Sequence, residues 1–530
     1  MTDGQPSAAG LTGRISLRSA EHPWLVISSW VLLLVGAVGL IVQLFGSAFT
    51  SEFFPTNNPE SRKASDLVEE RLRGGATVQE AIVVTSSTAT VGDAGFEAVS
   101  TGIVESLRDL GPDAIASVLS YYETGVPSLV SEDGGSLVVP ISLTGDVKAA
   151  DDIIPDVYEI VDAVDGSLEF DVFITGESTF YRDFSSQAQH DAERGETIAA
   201  PLALIVLYVV SGTLVAALVP MLLAVFAIAL AFGVAAVVGQ YTDLHVFTQN
   251  IVIMVGLAVG IDYTLFVISR FREERARGRD LAEAIAVAGD TASRAVIFSG
   301  FTVVIALVGM LLVPHSAFFA IGLGAIVVVL VAVVAVLTLL PAVLALLGGS
   351  IERLSLPIPT SRGEPRRIWG AAVRGAVNHP YASLLLGAGA LLAMSAIYLT
   401  IEIGSSGVAT FPDHLRAKEG FDALREEFGF GLDAPVEVVI DGDIGAEETQ
   451  EAIAALLALL EGDPVFGPPP GREVSADGDL ALLNVPINGD PLSESVADAV
   501  RRLRSDYIPA AFGTLKRVLS SQESPQRTSS

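Results

Sequence analysis

The sequence predicts a polytopic α-helical membrane protein of about seven spans, joined to water-facing α+β domains that form an internal repeat. Three observations carry this prediction. Of 530 residues, 51% are hydrophobic and only 18% are charged, a balance foreign to a soluble chain of this size. Apolar segments close to the ~20 residues needed to cross hydrocarbon recur along the chain. The acidic residues are concentrated: Gly46 to Glu196 holds 28 Asp and Glu against 8 Lys and Arg, a large share of the net charge of −31. Acid gathered in this way belongs to a domain in water and argues against a nucleic-acid partner. There is no cysteine, so neither disulfides nor thiol chemistry is available.

The first apolar segment runs from Trp24 to Phe45. It is too long for the core of a signal peptide, and no small-residue cleavage site follows it. The second and third, near Ile198–Val210 and Leu214–Val238, are separated by a Ser211-Gly212-Thr213 turn. The second is short unless its helix begins earlier, among the polar residues after Gln187. The remaining four lie near Phe247–Phe271, Ala295–Val313, Phe318–Leu347 and Tyr381–Ile401. Arginines cluster before the first segment (Arg14, Arg18), between the fourth and fifth (Arg270, Arg272, Arg275, Arg277, Arg279, Arg294) and before the seventh (Arg353, Arg362, Arg366, Arg367, Arg374). Alternating spans put all three clusters on one side, which the positive-inside rule makes cytoplasmic. The expected layout is a cytoplasmic N-terminus (1–23), a span (24–46), an extracytoplasmic domain (47–196), a five-span bundle (197–347), a basic cytoplasmic linker (348–379), a seventh span (380–402), a partial second extracytoplasmic domain (403–511) and a disordered or anomalous tail (512–530).

The repeat follows the first and seventh spans. Phe54-Pro55, a helical run Ala64–Arg73 and the strand pattern Glu80-Ala81-Ile82-Val83-Val84 are echoed by Phe411-Pro412, Ala417–Phe428 and Val436-Glu437-Val438-Val439-Ile440. The first domain then reads β-α-β-β-α-β, with strands near 80–85, 115–119, 136–143 and 170–175 and helices near 96–110 and 151–164. That order is the split βαβ, or ferredoxin-like, motif. The second copy supplies strands at 436–440 and 481–487 and helices at 447–460 and 493–507. Where a closing strand is due, the chain gives Gly513-Thr514-Leu515-Lys516-Arg517 and a Ser/Gln/Pro/Arg tail of disordered composition. The second copy is therefore expected to be incomplete, as in a truncated longer protein or a natural half-length product.

The informative site is in the fourth span, Gly256-Leu257-Ala258-Val259-Gly260-Ile261-Asp262-Tyr263, which exits through Ser269-Arg270-Phe271-Arg272-Glu273-Glu274. Asp262 is an ionisable group in an apolar helix, a placement that costs roughly 2.5–3.5 kcal/mol on insertion scales. It lies eight residues, about 12 Å along the axis, from Arg270, too deep to snorkel to the surface. An acid kept at that depth suits a group that loads and releases a proton, and the Tyr263 hydroxyl can hold or relay it. The bland alternative is a structural carboxylate locked by a neighbouring hydroxyl. Gly256 and Gly260 form a small-xxx-small face for close helix packing, which beside Asp262 suggests that the charge meets a partner helix. Ser299 and Thr302 on the fifth span lie at comparable depth and could hydrogen-bond the carboxylate, although such residues commonly bond their own helix backbone.

At these residues the chain resembles the MmpL (MMPL) branch of the resistance–nodulation–division (RND) transporters. The likeness rests on the Gly-Ile-Asp-Tyr core and its Ser-Arg-Phe-Arg-Glu-Glu exit, on Phe298-Ser299-Gly300 and Leu339-Leu340-Pro341-Ala342, and on the order of one span, a domain and five spans. It covers residues 20 to 510. The resemblance implies porter-type external domains and proton-driven export of lipids or other hydrophobic molecules, with Asp262 and Tyr263 as proton relay and Ser299 in support. It implies no cofactor, no metal and no enzymatic activity. Members of the family carry a second Asp-Tyr pair on a tenth span facing the first, and this chain ends before that position; an oligomer or a missing second half are the ways to supply it. The alternative function is a non-transporting membrane module, lipid-sensing or assembling, or an inactive fragment. Thr175-Gly176-Glu177-Ser178 matches a tetrapeptide of P-type ATPases, but no phosphorylatable Asp-Lys-Thr accompanies it. There is no Walker motif, and no spacing of the six histidines suggests a metal site.

Overall fold

The computed structural model describes residues 10–50, 55–73, 75–165, 170–242, 244–352, 367–399, 411–428, 435–467, 471–488, 494–513 and 518–520. Seven helices are long and apolar enough to cross a membrane: Pro23–Leu44, Glu177–Ser211, Leu214–Val238, Phe247–Ala276, Leu281–Leu311, Ser316–Leu347 and Pro380–Tyr398. The third matches its expected limits. The second starts much earlier than its apolar stretch, so that one continuous helix leaves the first α/β unit and becomes a span. The fifth starts at Leu281, where the Asp280 side chain caps the Glu283 amide at 2.7 Å; its first turns are helical without being apolar.

The sixth span is the axis of the bundle. Ala320, Val328, Ala332, Ala335 and Leu339 are all buried along it, small and β-branched side chains that let the first, third, fourth and fifth spans pack around it. The first span is pinned to it by a Trp30 indole donating to the Thr338 hydroxyl at 3.1 Å. A short helix, Leu11–Glu21, lies across the arginine-rich end of the fifth and sixth spans; Ser16 fits into the space left by Gly289, where a Cβ would come within 2.5 Å of the serine hydroxyl. The seventh span is exposed throughout.

Each α/β unit is built on a four-stranded antiparallel sheet. In the first, β1 (Thr77–Ser86) is central, between β3 (Ser136–Thr144) and β4 (Phe170–Gly176), with β2 (Ile115–Val118) outside β3. With period two along β1, Val78, Ile82 and Val84 face the core made with Phe96, Ile103 and Leu107 of one helix (Ala94–Asp109) and Ile154 and Val157 of another (Val147–Asp162). In the second unit β5 (Val436–Asp441) pairs with β7 (Leu480–Val485), which pairs with β6 (Arg472–Val474). A closing strand, not expected from the sequence, is present: β8 (Val518–Ser520) pairs antiparallel with β5 through Val518–Ile440 and Ser520–Val438. Three residues of strand inside a Ser/Gln/Pro/Arg tail are too few to register as a pattern, and pairing to an existing edge supplies what local propensity does not.

The units exchange helices. The opposite face of β1 is covered by α1 (Arg416–Phe428), which follows the seventh span: Leu424 packs on Val83 and Val138. Gly420 sits so close to β4 that a Cβ there would lie 2.4 Å from the Ile174 carbonyl oxygen. Reciprocally, helix Glu60–Arg71, which follows the first span, lays Ala64 and Val68 on Val439, Leu480 and Leu482 of the second sheet. Ion pairs edge both contacts: Arg71 with Asp441 at 3.1 Å and Asp479 at 3.3 Å, and a bidentate Arg416–Asp162 pair at 2.7 and 2.9 Å. The uninterrupted apolar runs of β1 and β5 reflect this covering of both sheet faces.

Candidate functional site

The fourth span carries its glycines and its acid on opposite faces. At about 100° per residue, position 262 lies about 200° round from 260. Gly260 touches the third span, where a Cβ would fall 2.9 Å from the Cα of Ala224, and Gly256 accommodates Ile228 and Val328 of the third and sixth spans. The glycines are thus packing positions. Asp262 lies on another stripe, with Met254, Ala258, Phe266 and Ser269, all exposed among the described residues. Replacing Gly260 by Leu should drive the third and fourth spans apart and cost about 1–3 kcal/mol by overpacking, seen as a lowered Tm in detergent. Ala258→Leu on the exposed stripe should leave Tm unchanged, and a Gly260→Leu chain as stable as its parent would discount the close packing.

Beside Asp262, the Tyr263 hydroxyl reaches across to the fifth span and lies 3.4 Å from the Ser299 hydroxyl, where either can donate. Gly300 makes room for Val333 of the sixth span, whose Cγ2 would lie 2.6 Å from a Cβ there, and the Tyr263 ring sits in ordinary contact at 3.8 Å. The structure therefore joins Tyr263 with Ser299 and does not join Thr302 to the acid. The Thr302 hydroxyl donates to the Phe298 carbonyl one turn back, at 2.9 Å, as a hydroxyl in an apolar helix does when no other acceptor is near. No hydrogen bond or ion pair to Asp262 occurs among the described residues. The acid is the only charged side chain of the fourth span between Phe247 and Ser269, presented on an open helix face next to a hydroxyl pair.

Toward the arginine-rich end the same stripe leads to a cavity of about 320 Å³ lined by Phe266, Ser269, Arg270, Glu273, Thr291 and Ala292. Below it Glu274 is fully buried and ringed by Arg270, Arg277 and Arg279. Arg272 donates to the Ser211 carbonyl at the end of the second span. Among the described residues no group of His, Asp and Glu has the arrangement of a metal site.

A bundle of this kind, with an acid beside a hydroxyl pair within its apolar helices, defines a multi-pass membrane protein. Comparison with known proteins agrees. The MMPL family profile matches residues 54–383, and the chain belongs to the MMPL family. Among its relatives are the Streptomyces coelicolor membrane protein SCO6666, 30% identical over 80% of this chain and 58% of that protein. The mycolic acid-containing lipids exporter MmpL11 of Mycolicibacterium smegmatis is 28% identical over 94% of this chain and 53% of its own length. The heme uptake protein MmpL11 of Mycobacterium tuberculosis is 26% identical over 94% and 52%. The chain thus spans little more than half the length of the curated relatives it matches.

Sequence reasoning singled out Asp262, Tyr263 and Ser299. It did not single out Glu80, a buried carboxylate at the junction of the first α/β unit and the second span. The signal was there: Glu80 is in phase with the inward-facing Val78, Ile82 and Val84, so period two alone places an acid on the core side of β1.

Proposed function

We propose that this chain is the proton-carrying part of an exporter that uses the proton motive force to move lipids or other hydrophobic molecules across the cytoplasmic membrane. The observation that carries the proposal is Asp262 beside the Tyr263–Ser299 hydroxyl pair, inside spans otherwise made of apolar and small residues. In this reading Asp262 takes a proton from the side of the α/β units, Tyr263 and Ser299 hold it in a hydrogen-bonded relay, and release is toward the arginine-rich end. The positive-inside rule supports reading that end as cytoplasmic, and the strand order β2-β3-β1-β4 of the first unit supports reading the acidic units as porter-type domains on the outer side. Cargo of lipid class is supported by the relative named as an exporter of mycolic acid-containing lipids. The relative named for heme uptake keeps a second, flat apolar cargo in the test.

The experiment uses inverted membrane vesicles holding the full chain, with the lumen acidified. Adding a mycolate-type glycolipid should speed collapse of the gradient, and heme, added separately, distinguishes the cargo. A gradient indifferent to both would refute coupled transport. The open face beside Asp262 favours the second reading, a lipid-sensing or assembly module that binds such lipids without moving protons; lipid binding with no proton flux is its signature.

A further inference from the structure

Glu80 ties the central strand of the first α/β unit to the helix that becomes the second span. It is 3% exposed. Its Oε1 accepts the Ser178 amide at 2.6 Å, and its Oε2 lies 2.6 Å from the Thr179 hydroxyl. The Thr179 amide shares both oxygens at 3.3 and 3.4 Å. These donors are the first turn of Glu177–Ser211, so the carboxyl occupies the end of the helix where backbone N–H groups have no partner of their own. Gly176 makes this approach possible, since a Cβ there would lie 2.6 Å from both the Glu80 Cα and its carboxyl carbon. The Thr175-Gly176-Glu177-Ser178 tetrapeptide, unexplained by phosphoryl chemistry, is the socket for this side chain.

We propose that Glu80 is a proton-operated fastening between the first α/β unit and the second span, holding when protonated and loosening when ionised. The acid form fits the same geometry: Oε1 keeps the Ser178 amide, while Oε2–H donates to a Thr179 hydroxyl that turns from donor to acceptor. The ionised form keeps its hydrogen bonds but has almost no water. Burial dominates, pushing the carboxyl up to about 7, against the lowering influence of the Thr179 and Ser178 donors. The charged and titratable groups around it set the same balance. Glu177, on the spanning helix, disfavours the charge. Tyr158, on helix Val147–Asp162, is half-buried beside Thr179; burial raises it, with Asp183 and Glu80 adding to the shift and Thr179 and Arg182 opposing it. Asp183, one turn further along the spanning helix, accepts the Ala417 amide of α1 at 2.8 Å. Arg182 is engaged by Asp151 at 2.8 Å, and Arg416 lies over the Tyr158 ring while paired with Asp162. Among the described residues no cation pairs with Glu80 directly.

The sign comes from linkage. A carboxyl whose value is higher docked than released binds its proton more tightly when docked, so acid fastens the joint. The stabilisation is full below the released value, near 4.5, and is lost as pH rises through about 7. With those two values, opening of the first turn of the spanning helix should become about thirtyfold more frequent between about pH 5.5 and about pH 8.5.

The test is hydrogen exchange at the amides of residues 178–183, corrected for intrinsic rates, on the full chain in lipid nanodiscs across that range. Opening frequency, the inverse of protection, should rise about thirtyfold in the parent chain with its midpoint near 7 and should be flat with pH in Glu80→Gln. Thr179→Val, which removes a donor that favours the charge, should move the midpoint upward; it decides the matter if Glu80→Gln does not fold. Protection independent of pH in the parent, a slope retained in Glu80→Gln, or a midpoint unmoved in Thr179→Val would each overturn the proposal. The readout involves no cargo and no flux, so its failure and the failure of the export reading are separate results.

Discussion

Vesicles carrying Asp262→Asn should keep their acid lumen whether or not lipid is added: the cargo-dependent proton flux is expected to vanish. Asn preserves the shape of the side chain and removes only the ability to exchange a proton. Because Asp262 is exposed and engages no hydrogen bond among the described residues, the substitution should leave folding intact, and an unchanged Tm in detergent serves as the control. Tyr263→Phe should have a smaller effect, since it deletes the 3.4 Å hydroxyl contact with Ser299 but leaves the acid that accepts the proton. A relay group of this kind typically contributes about 10²–10⁴-fold in rate when it acts in the limiting step. Full flux in Asp262→Asn would remove the site from the mechanism altogether.

The second large effect is on stability. Glu274→Gln should cost about 3 kcal/mol, near the lower end of the penalty for removing one partner from a buried ion cluster. The lower end applies because Arg270 and Arg277 remain 30% and 53% exposed and so keep part of their hydration. The reason is charge, not volume: Glu274 is buried among Arg270, Arg277 and Arg279, and without it those three guanidinium groups keep only the more exposed Glu273 and Glu283. Unfolding in detergent measures the loss. The same variant should also release the end of the fourth span, exposing the 270–279 segment to trypsin. A Glu274→Gln chain with parental Tm and parental cleavage would mean that the cluster is held by the Arg272 contact with Ser211 and by packing instead.

The spans were legible because hydrocarbon imposes a length and a composition that little else mimics. Where the expected limits fell short, helices continued outside the apolar zone. The second span begins at Glu177 among polar residues, and the fifth at Leu281 behind an Asp cap; neither portion is apolar enough to be drawn into a membrane segment. In the candidate site, Asp262 and Tyr263 stand out by being polar where polarity is costly. The face on which Asp262 lies needed only the angle between positions 260 and 262, whereas the contact of Tyr263 with Ser299 depends on how two helices cross and no spacing encodes that. Glu80 was open to the alternation rule, but the partner that gives it meaning, the amide end at Ser178 and Thr179, lies 98 and 99 residues away.

The exchanged helices impose a schedule on synthesis. Helix Glu60–Arg71 is made early, yet the surface that receives it belongs to strands far downstream; Arg71 and its partner Asp441 are 370 residues apart. At about 5–20 residues per second, Ala64 and Val68 wait roughly 20–80 s for Val439 and Leu482 to arrive, while six spans are threaded in between. The first sheet waits for Leu424 on the same clock. Neither unit can bury both faces of its sheet alone, so completion of each certifies that the other has been delivered to the same side of the membrane, and a chain inserted with one span inverted has no way to cover either sheet.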